Sequence, residues 1–245
     1  MVGVLRIEVN GRPASAGALM STYGHFTAMQ VRGGGVQGLR HHLDRLDAAH
    51  RELFDLPLDG DRVRGLVRHA LGDTADASVR VVLRDPADVL VAVGPPQSPP
   101  AAPQRLRSVP YLRPFPHLKH LGSFGQLEWA RRCRREGYDD ALLTGPDGAV
   151  SESSIANVGF LDADGAVVWP APPWLHGTAM RLIEEHAPTS RRRITLPDLA
   201  AYRGAFLANS IGVVPVASID HVVFASDAAA VAAVLAAVPW DPLDM

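Results

Sequence analysis

The chain has 245 residues, of which 47% are hydrophobic and 20% charged, and this composition is typical of a globular protein that buries a substantial core. Its formal charge of −2 gives no electrostatic reason to bind nucleic acid or an anionic membrane, and no apolar run is long enough to cross a bilayer. Its single cysteine, Cys133, excludes an internal disulfide and a thiolate zinc site, which agrees with a cytoplasmic location.

The first half of the chain predicts strands and helices in separate groups. Its first residues alternate as a strand does and lack the basic start and apolar block of a signal peptide. The grouping β-β-α-α-β-β favours an α+β layer over a doubly wound parallel sheet. The predicted elements are strands 4–9 and 23–31, helices 41–54 and 61–71, and strands 78–84 and 88–93.

Proline becomes frequent between Gly94 and Pro116, so this stretch is predicted to be neither a central strand nor a helix interior. We interpret it as the connection between two domains. The predicted limits are 1–108 for the N-terminal α+β domain, 109–117 for the connection and 118–245 for the C-terminal domain.

The second half predicts a helix, several hairpins and two further helices. The last helix is Ala/Val-rich, too short to span a membrane, and follows Ser226-Asp227 as its N-cap. The predicted elements are a helix from just after Lys119 to Gly137, strands 141–144, 149 onward, 155–161 and 166–169, helix 178–186, strand 193–196, a short helix near 198–202, strand 205–208 and helix 228–238.

Lys119 is the only lysine of the sequence. An arginine cannot deprotonate in a protein, whereas a lysine amine can become neutral and attack a carbonyl. Lys119 is therefore the one side chain suited to a Schiff base. The alternative is a surface lysine that an arginine-rich chain has kept by chance.

A lysine that binds pyridoxal phosphate needs a carboxylate for the ring nitrogen, and cations and amides for the phosphate. Glu152, at a strand end, is the candidate carboxylate, and Arg45 is the candidate phosphate ligand. Gly177-Thr178-Ala179 at a helix start and Asn209-Ser210 at a strand end offer amides and hydroxyls. Taken alone, each of these is an ordinary cap, loop or surface residue.

Together and in this order, these segments resemble the class IV aminotransferase family, the fold type IV pyridoxal phosphate enzymes. The resemblance covers nearly the whole chain, and the family includes branched-chain and D-amino acid aminotransferases and aminodeoxychorismate lyase. The motifs that carry it are His42-Leu43-Asp44-Arg45-Leu46, Leu118-Lys119-His120-Leu121, Gly137-Tyr138-Asp139-Asp140-Ala141-Leu142-Leu143, Val150-Ser151-Glu152, Asn157-Val158, Gly177-Thr178-Ala179-Met180-Arg181 and Val213-Val214-Pro215-Val216.

The resemblance implies a two-domain fold like that of D-amino acid aminotransferase, with a smaller N-terminal α/β sandwich and a larger β-barrel-like C-terminal domain with helices. It also implies a homodimer. Lys119 would form the internal aldimine with pyridoxal phosphate, Glu152 would pair with the pyridinium and Arg45 would hold the phosphate. The remaining phosphate ligands would be Thr178, Ala179, Asn209 and Ser210, with Ala179 in place of the usual threonine.

The positions that set the substrate depart from the family pattern. Phe124 stands where several aminotransferases carry a tyrosine near the cofactor. Thr27 matches a threonine of the lyase members, and Arg84 is the remaining candidate for a substrate carboxylate. The sequence thus predicts a cytoplasmic aminotransferase that acts on an amino donor and an oxo-acid acceptor. A lyase that releases pyruvate and a non-catalytic member of the fold are the alternatives.

Overall fold

The computed structural model describes residues 6–14, 22–225 and 228–243. Val4 and Leu5 of the predicted first strand, and the predicted N-cap Ser226-Asp227, lie outside these ranges. The protein is α+β, as predicted. It contains two compact units, each discontinuous in sequence: the first has Met1–Ser98, Leu118–Gly122 and Pro239–Met245, and the second has Pro99–His117 and Ser123–Val238.

The first unit is a seven-stranded antiparallel sheet with two helices. The strand order is β16-β4-β3-β5-β6-β1-β2. Helix α2 begins after Asp59, whose side chain accepts a hydrogen bond from the Arg62 N–H, as an N-cap does. The elements are β1 Arg6–Val9, β2 Arg12–Pro13, β3 His25–Arg32, β4 Gly35–Gln37, α1 Leu39–Phe54, α2 Gly60–Leu71, β5 Ala77–Leu83, β6 Val89–Gly94 and β16 Trp240–Pro242.

The two faces of this sheet bury different side chains because successive residues of a strand point to opposite sides. Met29 and Val31 of β3 join the main core, which also contains buried residues of α1 and α2. Phe26 of β3 belongs instead to a smaller apolar cluster that includes Leu121. The side chains of Phe26 and Thr27, which are adjacent in sequence, therefore lie on opposite faces of the sheet.

The second unit is built on a nine-stranded mixed sheet that curls into a half-barrel. The strand order is β12-β11-β10-β13-β14-β7-β8-β9, and β15 pairs with β14. The elements are β7 Gln104–Pro110, α3 Phe124–Arg135, β8 Asp140–Thr144, β9 Val150–Ser153, β10 Asn157–Leu161, β11 Val167–Pro170, α4 Thr178–His186, β12 Thr189–Arg192, a 3₁₀ helix Leu196–Ala201, β13 Gly204–Asn209, β14 Gly212–Ile219, β15 Val222–Val223 and α5 Ala229–Ala237.

The strand predicted at 193–196 forms earlier, as β12, which pairs in parallel with β11. The last residue of the predicted strand, Leu196, instead begins the 3₁₀ helix, where Thr195 and Asp198 form a capping box. None of the helices in the described ranges combines the length and hydrophobicity that crossing a bilayer requires.

Candidate active site

The Lys119 segment is fixed by main-chain hydrogen bonds along β3 in the first unit. The Phe26 N–H donates to the Lys119 carbonyl at 2.8 Å, and the Leu121 N–H donates to the Gly24 carbonyl at 2.9 Å. A side chain at Gly24 would place its Cβ 2.2 Å from the Leu83 carbonyl oxygen, so glycine is required there. The backbone at Lys119 thus has a defined position beside the sheet.

The Lys119 side chain is half-buried and lies against an aromatic ring. Its Nζ is 4.9 Å from the centroid of the Phe26 ring. The Arg80 guanidinium carbon lies 4.0 Å from the same centroid. Two cationic groups therefore share one ring, which attracts each of them through its quadrupole.

Thr27 connects β3 to two residues of α1 on the other face of the sheet. Its buried hydroxyl accepts a hydrogen bond from Arg45 Nη2 at 2.6 Å and lies 2.7 Å from His42 Nδ1. Burial, and then the charges of Arg45, Lys119 and His41, lowers the pKa of His42 well below its ordinary value. His42 is consequently neutral, and its Nδ1 can accept the proton of the hydroxyl that Arg45 already engages.

The second unit supplies a buried carboxylate with an arginine partner. Glu152 lies on β9, and its Oε1 accepts a hydrogen bond from Arg113 Nε at 3.0 Å. Its Oε2 accepts one from the Leu175 N–H at 3.2 Å. Both oxygens are therefore held in place, and the carboxylate has a matching charge within the interior.

The start of α4 offers the features of an anion site. Thr178 is buried, and its Oγ1 has no hydrogen-bond partner among the described residues. Gly177 precedes it, and a Cβ there would lie 2.3 Å from Asn157 Oδ1. The Ala179 side chain packs into a core cluster, so only its backbone amide can serve a ligand. First-turn amides and an unpaired hydroxyl are the donors that a phosphate needs.

The other predicted residues have varied surroundings. Asn209 ends β13, and its Oδ1 accepts the Ile211 N–H at 2.8 Å, which shapes the turn that contains the half-buried Ser210. Arg84 is 3.9 Å from Asp88, so it has an acidic neighbour. Phe124, the first residue of α3, has 80% of its surface exposed.

The structure thus brings the predicted residues together in two groups, one in each unit. Lys119, Thr27 and Arg45 lie in the first unit, and the remainder of the predicted phosphate and ring ligands lie in the second. Sequence reasoning missed His42, Arg80 and Arg113. Only His42 carried a signal, since it stands within the motif that contains Arg45. The described residues hold no cluster of His, Cys, Asp and Glu suited to a metal ion.

The fold is that of fold type IV aminotransferases. The family model for amino-transferase class IV matches residues 24–219. The chain therefore belongs to the class IV aminotransferase family, whose members are pyridoxal phosphate-dependent enzymes. No curated protein sequence gives a significant match to this chain.

Several solved structures share the fold at low sequence identity. A hypothetical aminotransferase from Mycobacterium tuberculosis, solved with pyridoxal phosphate, is 20% identical over 96% of this chain and 98% of its own, with a TM-score of 0.82. A branched-chain aminotransferase from Thermoproteus uzoniensis is 21% identical over 96% and 94%, with a TM-score of 0.78. A proposed 4-amino-4-deoxychorismate lyase from Legionella pneumophila is 21% identical over 86% and 88%, with a TM-score of 0.76.

Proposed function

We propose that this protein is a pyridoxal phosphate-dependent aminotransferase that moves an amino group between an amino acid or amine and a 2-oxo acid. The observation that carries the proposal is the only lysine of the chain, half-buried and fixed beside β3 in the same unit as Arg45. Family membership supports the same activity.

In each unit, the residues present suit a part of the cofactor. Thr178 presents a buried hydroxyl without a partner in the described chain, at a helix start whose amides suit a phosphate. In the second unit, Asn209 and Ser210 offer further polar groups at a strand end, and in the first unit Arg45 is the predicted cation for the phosphate. Glu152 supplies the buried carboxylate for the ring nitrogen. When bound, pyridoxal phosphate withdraws electrons from the substrate α-carbon through its protonated ring.

Lys119 would move the proton in this reaction. Its amine would accept a proton from the substrate α-carbon as a general base and donate it to C4′ of the cofactor as a general acid. The Phe26 ring shields one side of the amine from water, and its contact with Nζ limits the positions that the side chain adopts. Arg80, on the same ring, is our candidate for binding the substrate carboxylate, with Arg84 as the sequence-predicted alternative, while Thr27 and Phe124 stay predicted substrate positions.

A lyase that eliminates pyruvate is the second candidate function. The observation that favours it is Thr27, whose buried hydroxyl lies within hydrogen-bonding distance of both Arg45 and His42. Such a reaction would use Lys119 for the same proton transfer. The two functions differ in the fate of the nitrogen, because only the aminotransferase keeps it on the cofactor. A non-catalytic protein that retains the fold is the third reading.

The test is spectroscopic. Purified protein, with added pyridoxal phosphate, is expected to show the visible absorption band of lysine-bound cofactor. Lys119→Ala should lose this band, and Lys119→Arg, which keeps the charge but cannot form a Schiff base, should lose it too. An amino donor should convert the cofactor to its pyridoxamine form in a single turnover. Pyruvate release without that conversion would identify the lyase. A wild-type protein that takes up no cofactor would contradict both.

We also propose that the enzyme is a cytoplasmic homodimer. Cys133 is buried and free, as expected in a reducing compartment. The exposed Phe124 and Leu127 lie three positions apart on α3 and form an apolar surface in the second unit. A self-association surface would account for their exposure.

A further inference from the structure

Arg113 is a buried arginine whose role the sequence did not reveal. It lies six residues before Lys119, in the segment that follows β7, and its side chain is only 6% exposed. Arginine is rarely buried to this extent unless it is paired. Its partner is Glu152, 39 residues away in sequence and equally buried, through a hydrogen bond of 3.0 Å between Nε and Oε1.

The same guanidinium also bonds to the backbone. A second nitrogen, Nη2, donates to the carbonyl oxygen of Pro116, which stands three residues before Lys119 in sequence. The planar fork of arginine has donors for both contacts, and a lysine does not offer this geometry. Arg113 therefore ties the Glu152 carboxylate to the stretch of chain that leads to the Lys119 segment.

The physical consequence concerns the charge of the carboxylate. A buried carboxylate without a partner avoids the cost of desolvation by taking up a proton. A fixed positive charge and the Leu175 N–H favour the ionised form and occupy one lone pair on each oxygen. An ionised carboxylate stabilises a protonated ring nitrogen by its charge, which a neutral carboxyl lacks.

We infer that Arg113 is a positioning residue that keeps Glu152 ionised and oriented toward the ring nitrogen of the cofactor. This inference rests on the proposed function. Arg113 touches neither substrate nor reacting atoms in this role and acts on the cofactor through Glu152. Its removal should therefore change the protonation of the ring nitrogen, an effect that a purely structural arginine would not have.

The experiment is a double-mutant cycle of Arg113→Gln and Glu152→Gln, with Arg113→Lys as the conservative variant. One readout is the dissociation constant of pyridoxal phosphate. The other is the ¹⁵N chemical shift of bound cofactor labelled at the ring nitrogen. Each single variant is expected to weaken cofactor binding about ten-fold or more, because losing the partner of a ligating group typically has an effect of this size. Each should also move the ¹⁵N chemical shift toward the value of an unprotonated ring nitrogen. Arg113→Lys should fall between wild type and Arg113→Gln.

Because Arg113 acts through Glu152, adding Arg113→Gln to Glu152→Gln should change the cofactor affinity and the ¹⁵N chemical shift little further. The matched control is Arg105→Gln, which removes an arginine from the exposed pair with Asp139 on the same unit and should leave both readouts unchanged. Additive effects, or a wild-type shift in Arg113→Gln, overturn the inference. If Arg113→Gln does not fold, Arg113→Lys with a wild-type shift and affinity overturns it equally. A wild-type protein that binds no cofactor would refute the proposed function itself.

Discussion

Arg80 contacts an aromatic ring and forms neither an ion pair nor a hydrogen bond within the described residues. Its cross-strand neighbours on β3 and β6 are Ala28 and Ala92, whose methyl groups leave the guanidinium accessible. Arg80 Cζ lies 4.0 Å and Lys119 Nζ 4.9 Å from the centroid of the Phe26 ring. These two atoms are therefore at most 8.9 Å apart, the sum of the two distances. A cation without a carboxylate, this close to Lys119, suits the carboxylate of a substrate.

We expect Arg80→Gln to raise the KM for amino acid donors roughly ten-fold or more, because a charge-assisted hydrogen bond is lost. An amine donor without a carboxylate should keep its KM. Arg40→Gln, which removes an equal charge from an exposed site on α1, serves as the control in the same steady-state assay. Equal losses for donors with and without a carboxylate would show that Arg80 acts on the fold and not on the substrate.

Which residues could be predicted depended on whether their signal was local. Lys119 stood out by composition, and the resemblance then named Glu152 and Arg45 as its companions. The pairing of Glu152 with Arg113 left no such trace, because the two residues are 39 positions apart and an arginine among prolines resembles a surface residue. The hydrogen bond from Arg45 to Thr27 likewise needed the packing of α1 on β3.

At the scale of elements, two histidines join β3 to α1. His25 Nε2 lies 3.4 Å from His50 Nδ1, and both rings pack near Phe54. Burial, and then the charge of His50, lowers the pKa of His25 from 6.5 to about 4. The folded protein therefore binds this proton less readily than the unfolded chain does.

The shift predicts acid sensitivity. Its contribution to stability, up to about 3 kcal/mol, is complete above pH 6.5, is lost as pH falls from 6.5 toward 4, and changes little below that. Urea unfolding at pH 7.5 and pH 5 should show a smaller difference in the free energy of unfolding for His25→Gln than for wild type. His221→Gln, at an exposed position, should leave the difference intact. A variant as acid-sensitive as wild type would count against His25 as the cause.

The start of α4 depends on a close approach of the Asn157 side chain to the backbone at Gly177. Asn157 Nδ2 donates to the Leu175 carbonyl at 2.7 Å, and the Oδ1 of the same side chain leaves no room for a Cβ at Gly177. Gly177→Ala should therefore displace Asn157 and the first turn of α4. We expect weaker binding of pyridoxal phosphate together with a destabilisation of about 1–3 kcal/mol.

The matched substitution is Gly65→Ala in α2, where a Cβ would meet no atom within 4 Å. There the loss of unfolded-state freedom should stabilise the protein by about 0.5–1 kcal/mol and leave cofactor affinity alone. Thermal unfolding and a cofactor titration of both variants test the pair. If Gly177→Ala binds the cofactor as wild type does, the start of α4 is not the phosphate site.

For the whole molecule, the order of elements predicted an α+β protein, and this is confirmed. The predicted helices at 41–54, 61–71 and 178–186 closely match α1, α2 and α4, because their apolar spacing and end signals are local. The pairing of distant segments was not predictable in this way. The segment Leu118–Gly122 belongs to the first unit while residues on either side belong to the second. The domain limits 1–108 and 118–245 stay a prediction.

The homodimer is the remaining prediction at this scale. Phe124 is 80% and Leu127 46% exposed, and their spacing places both on one side of α3. Burying such side chains stabilises an interface by about 1.5–3 kcal/mol each, so exposure without a partner would be a cost in solubility.

We expect size-exclusion chromatography with light scattering to give twice the chain mass. Phe124→Asp should shift the protein toward monomer as it is diluted, because a charge would be buried at the contact. Val223→Asp, at a position 78% exposed on β15, is the matched control and should keep the wild-type mass. A monomeric wild type would refute the dimer, and a Phe124→Asp protein that stays dimeric would move the interface away from this side of α3.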